Sequence, residues 1–146
     1  RRMILIAHRG NVQGSKPTLE NSPEYIQNAI NLGYAVEVDV WCNSNCLSLG
    51  HDEPTYEIGI QWIMERSNKL WIHCKNIEAI EYFSKFIDDV NYFWHEGDVL
   101  TLTTSGYIWS TYNIDKGILV MPETFNTSPT ENTLGICSDN IKSYKN

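Results

Sequence analysis

The sequence has few basic residues and no long apolar run. Of its 146 residues, 11 are Lys or Arg and 18 are Asp or Glu, which gives a formal net charge of -7. No cluster of five or more basic residues occurs, so a surface that neutralises a DNA or RNA backbone is not expected. No apolar stretch approaches the roughly 20 residues of a membrane span, and the amino terminus lacks the apolar segment of a signal peptide. We therefore expect a soluble, cytoplasmic protein that does not bind nucleic acid.

The cysteines lack the spacing of a zinc finger. Cys42 and Cys46 form one close pair, which would suit two zinc ligands or a small disulfide loop, but Cys74 and Cys137 stand alone. A structural zinc site would need two more ligands at matching spacing. We therefore expect reduced thiols.

Repeats and low-complexity segments are also absent, and the composition is that of an ordinary globular protein. Hydrophobic residues make up 42% of the chain and charged residues 20%. A chain of this length fits one domain. We predict a single domain over residues 1–146.

The first half of the chain alternates between strand and helix patterns. The apolar run Met3–Ala7 predicts a buried parallel strand. A capping sequence at 21–24 and a stop at Gly33 predict a helix over Pro23–Leu32, and Tyr34–Val40 predicts the second strand. Further elements are expected at Cys46–Leu49, in a helix with Tyr56, Ile60, Ile63 and Met64 at helical spacing, at Leu70–Lys75, and in a helix capped by Asn76 with Ile77, Ile80, Phe83 and Ile87 on one side.

After Val90 the pattern changes to short strands whose connections are too short for full helices. The predicted strands are Tyr92–Glu96, Leu100–Thr103, Tyr107–Trp109, Ile118–Met121 and Leu134–Cys137. The outer helical layer should therefore thin out in the second half.

Reactive side chains recur at the predicted strand ends or in the loops that follow them. They are His8 and Arg9, Glu37 and Asp39, His51 and Asp52, and His73 with Lys75 on the next strand. Because sites in α/β sheets and barrels form at the carboxyl ends of strands, we expect these groups to share one site.

The chemistry of these groups suggests phosphoryl transfer. Glu37 and Asp39 alternate with valines that demand burial, so the carboxylates should point into the sheet interior or barrel; a solvated acidic face is the alternative. Two hard oxygen donors suit Ca²⁺ or Mg²⁺. Arg9 suits a bidentate phosphate contact. His8 and His51, each more often structural when taken alone, could share the proton transfers of phosphodiester cleavage.

Four stretches, in this order, carry a family resemblance. They are Ile6-Ala7-His8-Arg9-Gly10, Glu20-Asn21-Ser22, the segment from Gly33 to Val40, and Gly50-His51-Asp52. In order and spacing they resemble the glycerophosphodiester phosphodiesterase family, within the phospholipase C-like phosphodiesterase superfamily. The resemblance covers roughly the first half of the chain and reaches His73 and Lys75.

The resemblance implies a TIM-type barrel, one bound divalent cation, and attack by a neighbouring hydroxyl on the phosphodiester. It assigns general acid and base roles to His8 and His51, and it assigns the phosphate to Arg9 and Lys75. Metal ligation falls to the carboxylates at positions 37 and 39.

The chain departs from the family pattern at the next metal position. Where the family carries a third acidic ligand two residues before a lysine, this chain has His73 ahead of Lys75. His73 could ligate a softer ion such as Mn²⁺ or Zn²⁺, or Glu123 or Glu96 could complete an oxygen shell. Glu20 is a further candidate ligand, with shaping of its loop as the alternative.

Length is the second departure, because a full (β/α)8 barrel has about 250 residues. We therefore expect a reduced TIM-type barrel that lacks several outer helices in its second half. Apolar barrel exterior would then be exposed near Trp94, Tyr107, Trp109 and Tyr112. A second copy of the chain could cover it, which predicts a homodimer.

The expected function is metal-dependent hydrolysis of a glycerophosphodiester or related small phosphodiester, in lipid metabolism. One alternative is a catalytically silent module that binds a phosphorylated ligand. Another is a lyase that stops at the cyclic phosphate.

Overall fold

The computed structural model describes residues 2–144, which form one mixed α/β unit with ten strands and four α-helices. The strands are β1 (Ile4–His8), β2 (Ala35–Asn43), β3 (Cys46–Leu49), β4 (Tyr56–Ile58), β5 (Leu70–Cys74), β6 (Asn91–Phe93), β7 (Leu100–Leu102), β8 (Ile108–Ser110), β9 (Ile118–Val120) and β10 (Gly135–Ser138). The helices are α1 (Pro23–Asn31), α2 (Ile60–Met64), α3 (Ile77–Ser84) and α4 (Pro122–Phe125), and a 3-10 turn spans Ile141–Ser143.

The ten strands form one sheet with a parallel centre. The strands β6, β5, β2, β1, β10, β9 and β8 lie side by side in that order and run parallel. At one end, β7 returns antiparallel to β8. The longest strand, β2, continues beyond β1 and pairs there with the antiparallel β3–β4 hairpin. The first and last strands of the chain are therefore neighbours at the centre of the sheet.

The sheet does not close into the expected barrel, because no strand ladder joins β6 to β7 among residues 2–144. The two edges meet at Thr104, whose backbone N–H donates to the Tyr92 carbonyl at 2.9 Å. The Thr104 hydroxyl accepts the Tyr92 N–H at 3.0 Å. The Tyr92 N–H thus pairs with a side-chain oxygen and not with a backbone carbonyl, so backbone pairing between the two edges does not continue.

Two apolar layers cover the two faces of the sheet. On the outer face the valines of β2 pack against helix residues such as Ala29 and Phe83. On the inner face one cluster draws from six strands and contains Ile6, Trp71, Phe93, Trp109, Ile118 and Cys137. The expected opposition of valines and carboxylates across β2 is confirmed, since Glu37 and Asp39 are buried among the inward-facing side chains.

The helix starts predicted from capping residues are confirmed. The Ser22 hydroxyl accepts the Tyr25 N–H ahead of α1, with Pro23 at the first position. The side-chain amide oxygen of Asn76, Oδ1, accepts the Ala79 N–H ahead of α3. Both residues satisfy a backbone donor that the first turn leaves unpaired.

Several sequence predictions were wrong in detail. Residues Tyr56–Ile58 are a strand, and the helix begins at Ile60. Helix α3 ends at Ser84, before Ile87. The buried face of this helix is formed by Ala79 and Phe83, and Ile77 on another face is 70% exposed. The predicted strand Cys46–Leu49 is confirmed at both ends, and the other strand and helix ends match the predicted ones or differ from them by one to three residues.

The expected apolar exterior is present only in part. Trp94 and Tyr112 are each 47% exposed, but Trp109 is 5% exposed and lies in the inner cluster. The Tyr107 ring packs on Trp71, with ring centroids 4.8 Å apart. The homodimer therefore stays a prediction. No helix within residues 2–144 is both long enough and apolar enough to cross a membrane.

Candidate active site

Four reactive side chains lie close together on three adjacent strands, β1, β2 and β5, near the carboxyl ends of β1 and β5. In the register of the sheet, His8 at the end of β1 is the partner of Glu37 on β2. Two residues further along β2, Asp39 is the partner of His73 on β5. Because residues i and i+2 of a strand share a face, both carboxylates face the same interior space as the histidines.

Glu37, Asp39 and His73 form a group that could hold one metal ion, with one candidate ligand atom from each lying within 4.8 Å of the others. His73 Nδ1 lies 3.1 Å from Asp39 Oδ1 and 3.7 Å from Glu37 Oε2. Glu37 Oε1 and Asp39 Oδ1 are buried and accept no hydrogen bond among the described residues, although Asp39 Oδ1 forms an ion pair with His73. Buried carboxylate oxygens usually accept hydrogen bonds, so these two fit the ligand shell of a divalent cation.

The charge on Asp39 is stabilised by its neighbours. Asn21 Nδ2 donates to Asp39 Oδ2 at 2.9 Å, and Arg9 Nε lies 3.6 Å from the same oxygen. Burial alone would raise the pKa of Asp39, but His73, Asn21 and Arg9 together lower it to about 2. Burial would likewise lower the pKa of His73, and contact with Asp39 and Glu37 instead raises it to about 9. Without a metal, both groups are charged at neutral pH.

His8 is fixed by a carboxylate from the far end of the chain. His8 Nδ1 donates to Asp139 Oδ1 at 2.7 Å, and the same oxygen accepts from Asn11 Nδ2 at 2.9 Å. The other ring nitrogen, Nε2, lies 4.0 Å from Glu37 Oε1. Burial opposes protonation, but the Asp139 hydrogen bond and the Glu37 charge outweigh it and raise the pKa of His8. His8 is therefore oriented with Nε2 toward Glu37 of the candidate metal group.

Arg9 stands beside this group and is held by two carboxylates. Its Nη1 donates to Glu20 Oε1 at 3.1 Å, while its Nε lies 3.6 Å from Asp39 Oδ2. Glu20 also accepts hydrogen bonds from Asn11 and Ser15. Glu20 thus lies outside the three-residue group and orients the guanidinium.

His51 lies at the rim between two clefts, and its side chain is 40% exposed. A cleft of about 290 Å³ is lined by His51 together with Arg9 and Glu20. A second cleft, of about 530 Å³, is lined by His51 with His73 and Lys75. His51 therefore borders both clefts, and no hydrogen bond or ion pair joins it to His8 among residues 2–144.

The loop that carries His51 is tied to β2. The Gly50 N–H donates to the Asp39 carbonyl at 3.1 Å, and Trp41 Nε1 donates to the Gly50 carbonyl at 2.7 Å. His51 Nδ1 lies 2.7 Å from Asp52 Oδ1. Nε2 is thus the ring nitrogen available for chemistry.

The two remaining acidic candidates lie outside the metal-binding group. Glu123 accepts from the Ser138 hydroxyl at 2.9 Å and from the Asp139 N–H at 3.2 Å, so it supports the loop that holds His8. Glu96 lines the larger cleft, and its N–H donates to Asp98 at 3.4 Å.

No model of a protein family, no curated protein and no solved structure matches this chain. The functional argument therefore depends on the residues and their geometry.

Asp139 is the important residue to which the sequence analysis gave no role. Its signal was available, since it directly follows β10, as Arg9 directly follows β1. What the sequence does not give is the adjacency of β10 and β1, which brings together residues 131 positions apart.

Proposed function

We propose that this protein is a metal-dependent phosphodiester hydrolase that acts on a glycerophosphodiester or a related small diester, on a reduced form of the TIM-type barrel. The observation that carries the proposal is the convergence of buried, partly unpaired carboxylates with His73, next to an oriented His8. The resemblance of the first half to the glycerophosphodiester phosphodiesterase family supports the substrate class. The parallel strands around one inner cluster support the barrel relationship.

Glu37, Asp39 and His73 would hold the cation. When bound there, a divalent ion supplies Lewis-acid polarisation of the phosphate oxygens. Two carboxylates and one imidazole are a donor set that would suit a divalent cation. A phosphate held next to these residues would lie beside His8.

His8 would act as the general base, taking a proton through Nε2 from the attacking hydroxyl. Asp139 fixes the ring through Nδ1 and stabilises the imidazolium that forms, as the carboxylate of a catalytic triad does. His51, on the rim loop, would then donate a proton to the departing alcohol oxygen, which leaves a cyclic phosphate. In the second step water would attack this phosphate, with His51 taking the proton of the water and His8 returning its proton to the ring oxygen that departs. Arg9 and Lys75 would bind the phosphate charge from the two clefts.

A module that binds phosphorylated ligands without turnover is the second candidate. The observation that favours it is the exposed position of His51, which makes no contact with His8. In that case Arg9 and Lys75 would bind the phosphate of the ligand, and His8 and His51 would have no catalytic role.

Hydrolysis of glycerophosphodiesters, followed by phosphorus NMR with Mn²⁺, Mg²⁺, Ca²⁺ or Zn²⁺, tests the proposal. Changing His8→Ala or His51→Ala should lower kcat by about 10²–10⁴-fold, the usual contribution of general acid–base catalysis. Asp139→Asn should lower kcat and shift the pH profile without changing metal affinity. Glu81→Ala, at an exposed position of α3, is the control.

Absence of turnover with every metal, or turnover that ignores both histidine substitutions, rejects the hydrolase. Ligand binding without turnover would instead establish the binding module. A cyclic phosphate as the final product would identify a lyase.

A further inference from the structure

The ring of His73 packs against two other rings. It stacks on Phe93, with centroids 5.0 Å apart and planes at 14°, and on His95, with centroids 4.6 Å apart and planes at 13°. The His95 ring is itself oriented, since its Nδ1 accepts the Gly97 N–H at 3.2 Å. The Phe93 and His95 rings also lie 5.7 Å from each other, so the three rings form one cluster. Packing against both rings restricts the rotation of His73.

The two nitrogens of His73 face different partners. Nε2 lies 3.4 Å from the backbone carbonyl oxygen of His95. A carbonyl can only accept, so Nε2 carries the hydrogen. In the neutral ring the lone pair then belongs to Nδ1, which faces Asp39 and Glu37 at 3.1 and 3.7 Å. The ring is set up to ligate through Nδ1.

A ligand set with one imidazole nitrogen changes which ion is preferred. Imidazole suits Zn²⁺ and other first-row transition metals, whereas Mg²⁺ and Ca²⁺ are bound through oxygen atoms. The hydrogen bond and packing around a ligating histidine set its tautomer and orientation and strengthen the site.

Building on the metal centre of the proposed function, we propose that His73 ligates through Nδ1, positioned by Phe93 and His95, and that the site therefore selects a transition-metal ion such as Mn²⁺ or Zn²⁺ over Mg²⁺ and Ca²⁺. His73 is the residue that determines metal specificity, and His95 is a positioning residue. The carboxylates at positions 37 and 39 supply the charge that any divalent cation needs.

Titration calorimetry of the metal-free chain with Mn²⁺, Zn²⁺, Mg²⁺ and Ca²⁺, each alone, tests the selectivity. The wild type should bind Mn²⁺ and Zn²⁺ at least about tenfold more tightly than Mg²⁺ or Ca²⁺. His73→Glu should narrow this difference, because an all-oxygen set suits Mg²⁺ and Ca²⁺ as well. His73→Gln should weaken Zn²⁺ by more than the roughly 10–100-fold that a residue outside the ligand set contributes.

The role of His95 is tested by a matched pair of variants. His95→Ala removes the stacked ring and should weaken Zn²⁺ by about tenfold, at the lower end of such effects. His95→Phe retains a flat ring and should restore the affinity. Loss in both variants, or in neither, overturns the positioning role.

Nitrogen NMR of the Zn²⁺-loaded chain identifies the ligating atom without any activity measurement. His73 should show a coordinated Nδ1 and a protonated Nε2. Three outcomes would overturn this inference: coordination through Nε2, equal affinities for Mn²⁺ and Mg²⁺, or unchanged Zn²⁺ binding in His73→Gln. The proposed hydrolase would still stand after any of them, as long as the chain binds one of the cations. A chain that binds none of the four cations overturns both.

Discussion

The charged pair formed by His73 and Asp39 makes the metal-free protein sensitive to pH. Both side chains are almost fully buried, and each stabilises the charge of the other. The pKa of His73 is raised to about 9, so its contribution to stability is complete below its unfolded value of 6.5 and is lost as the pH rises toward 9. The pKa of Asp39 is lowered to about 2, so its contribution is present above 3.8 and is lost as the pH falls toward 2.

We therefore expect the free energy of unfolding of the metal-free protein to fall between pH 6.5 and 9, by at most about 3 kcal/mol from this group. His8, whose pKa is also raised, adds to the fall in the wild type. Urea denaturation in the presence of a chelator, at several pH values, measures it. His73→Gln should show a shallower dependence over the same range, and parallel curves for the two proteins would contradict the assignment.

Part of the site could be predicted residue by residue from the sequence. The alternation of acids and valines places Glu37 and Asp39 on the interior face, because a strand directs successive side chains to opposite faces. The partners of His8 and the tautomer of His73 could not be predicted. Both depend on residues of other strands, Asp139 and His95, whose approach only the tertiary fold determines.

At the level of elements, the turn between β3 and β4 positions His51 through an unusual glycine. Gly50 has φ of 153°, and a Cβ there would lie 2.0 Å from the Glu53 carbonyl oxygen and 2.9 Å from Thr55 Oγ1. The carbonyl belongs to the backbone of the same turn, so it cannot move away independently. The position therefore requires glycine.

Gly50→Ala should cost at least about 1–3 kcal/mol, the range for a forced backbone conformation, and should lower turnover by displacing His51. Metal affinity should change little, because the candidate cation ligands lie on β2 and β5. Gly59→Ala is the matched control, since a Cβ there meets nothing within 4 Å, and should stay within about 0.5 kcal/mol of the wild type. Equal effects of the two substitutions on denaturation and turnover would show that the turn tolerates a side chain.

The helical pattern around position 60 illustrates where prediction of elements fails. Tyr56, Ile60 and Ile63 lie at helical spacing, but residues 56–58 pair with β3 in a hairpin. Tertiary pairing overrides a short local pattern. The capped helices α1 and α3 were predictable because their start signals are local hydrogen bonds.

For the whole molecule, the order of strands decides which residues meet. The alternation of strands and helices predicts a parallel sheet, and the structure confirms this for its centre. It does not predict that β10 pairs with β1, nor that the sheet stays open between β6 and β7. Those features depend on short late strands whose connections carry little pattern.

The inner aromatic cluster joins the two ends of the open sheet, where strand hydrogen bonds do not. Trp109 on β8 packs against Trp71 on β5 and Phe93 on β6, with ring centroids 5.7 and 4.9 Å apart. Since β8 and β5–β6 belong to opposite ends of the sheet, these contacts fix its curvature. Within this sheet β10 and β2 are the two neighbours of β1, which brings Asp139 and Glu37 to either side of His8.

Trp109→Ala should therefore destabilise the protein by about 3–5 kcal/mol, as removal of a buried aromatic side chain usually does. The matched control is Trp94→Ala, because Trp94 is 47% exposed and does not belong to the inner cluster. This substitution should lower the free energy of unfolding by about 1 kcal/mol, the average for a single substitution. Guanidinium denaturation followed by circular dichroism compares the two, since tryptophan fluorescence changes in both variants. If Trp109→Ala proved no more costly than Trp94→Ala, the aromatic cluster would not hold the sheet edges together, and the few hydrogen bonds at Thr104 would have to carry that role.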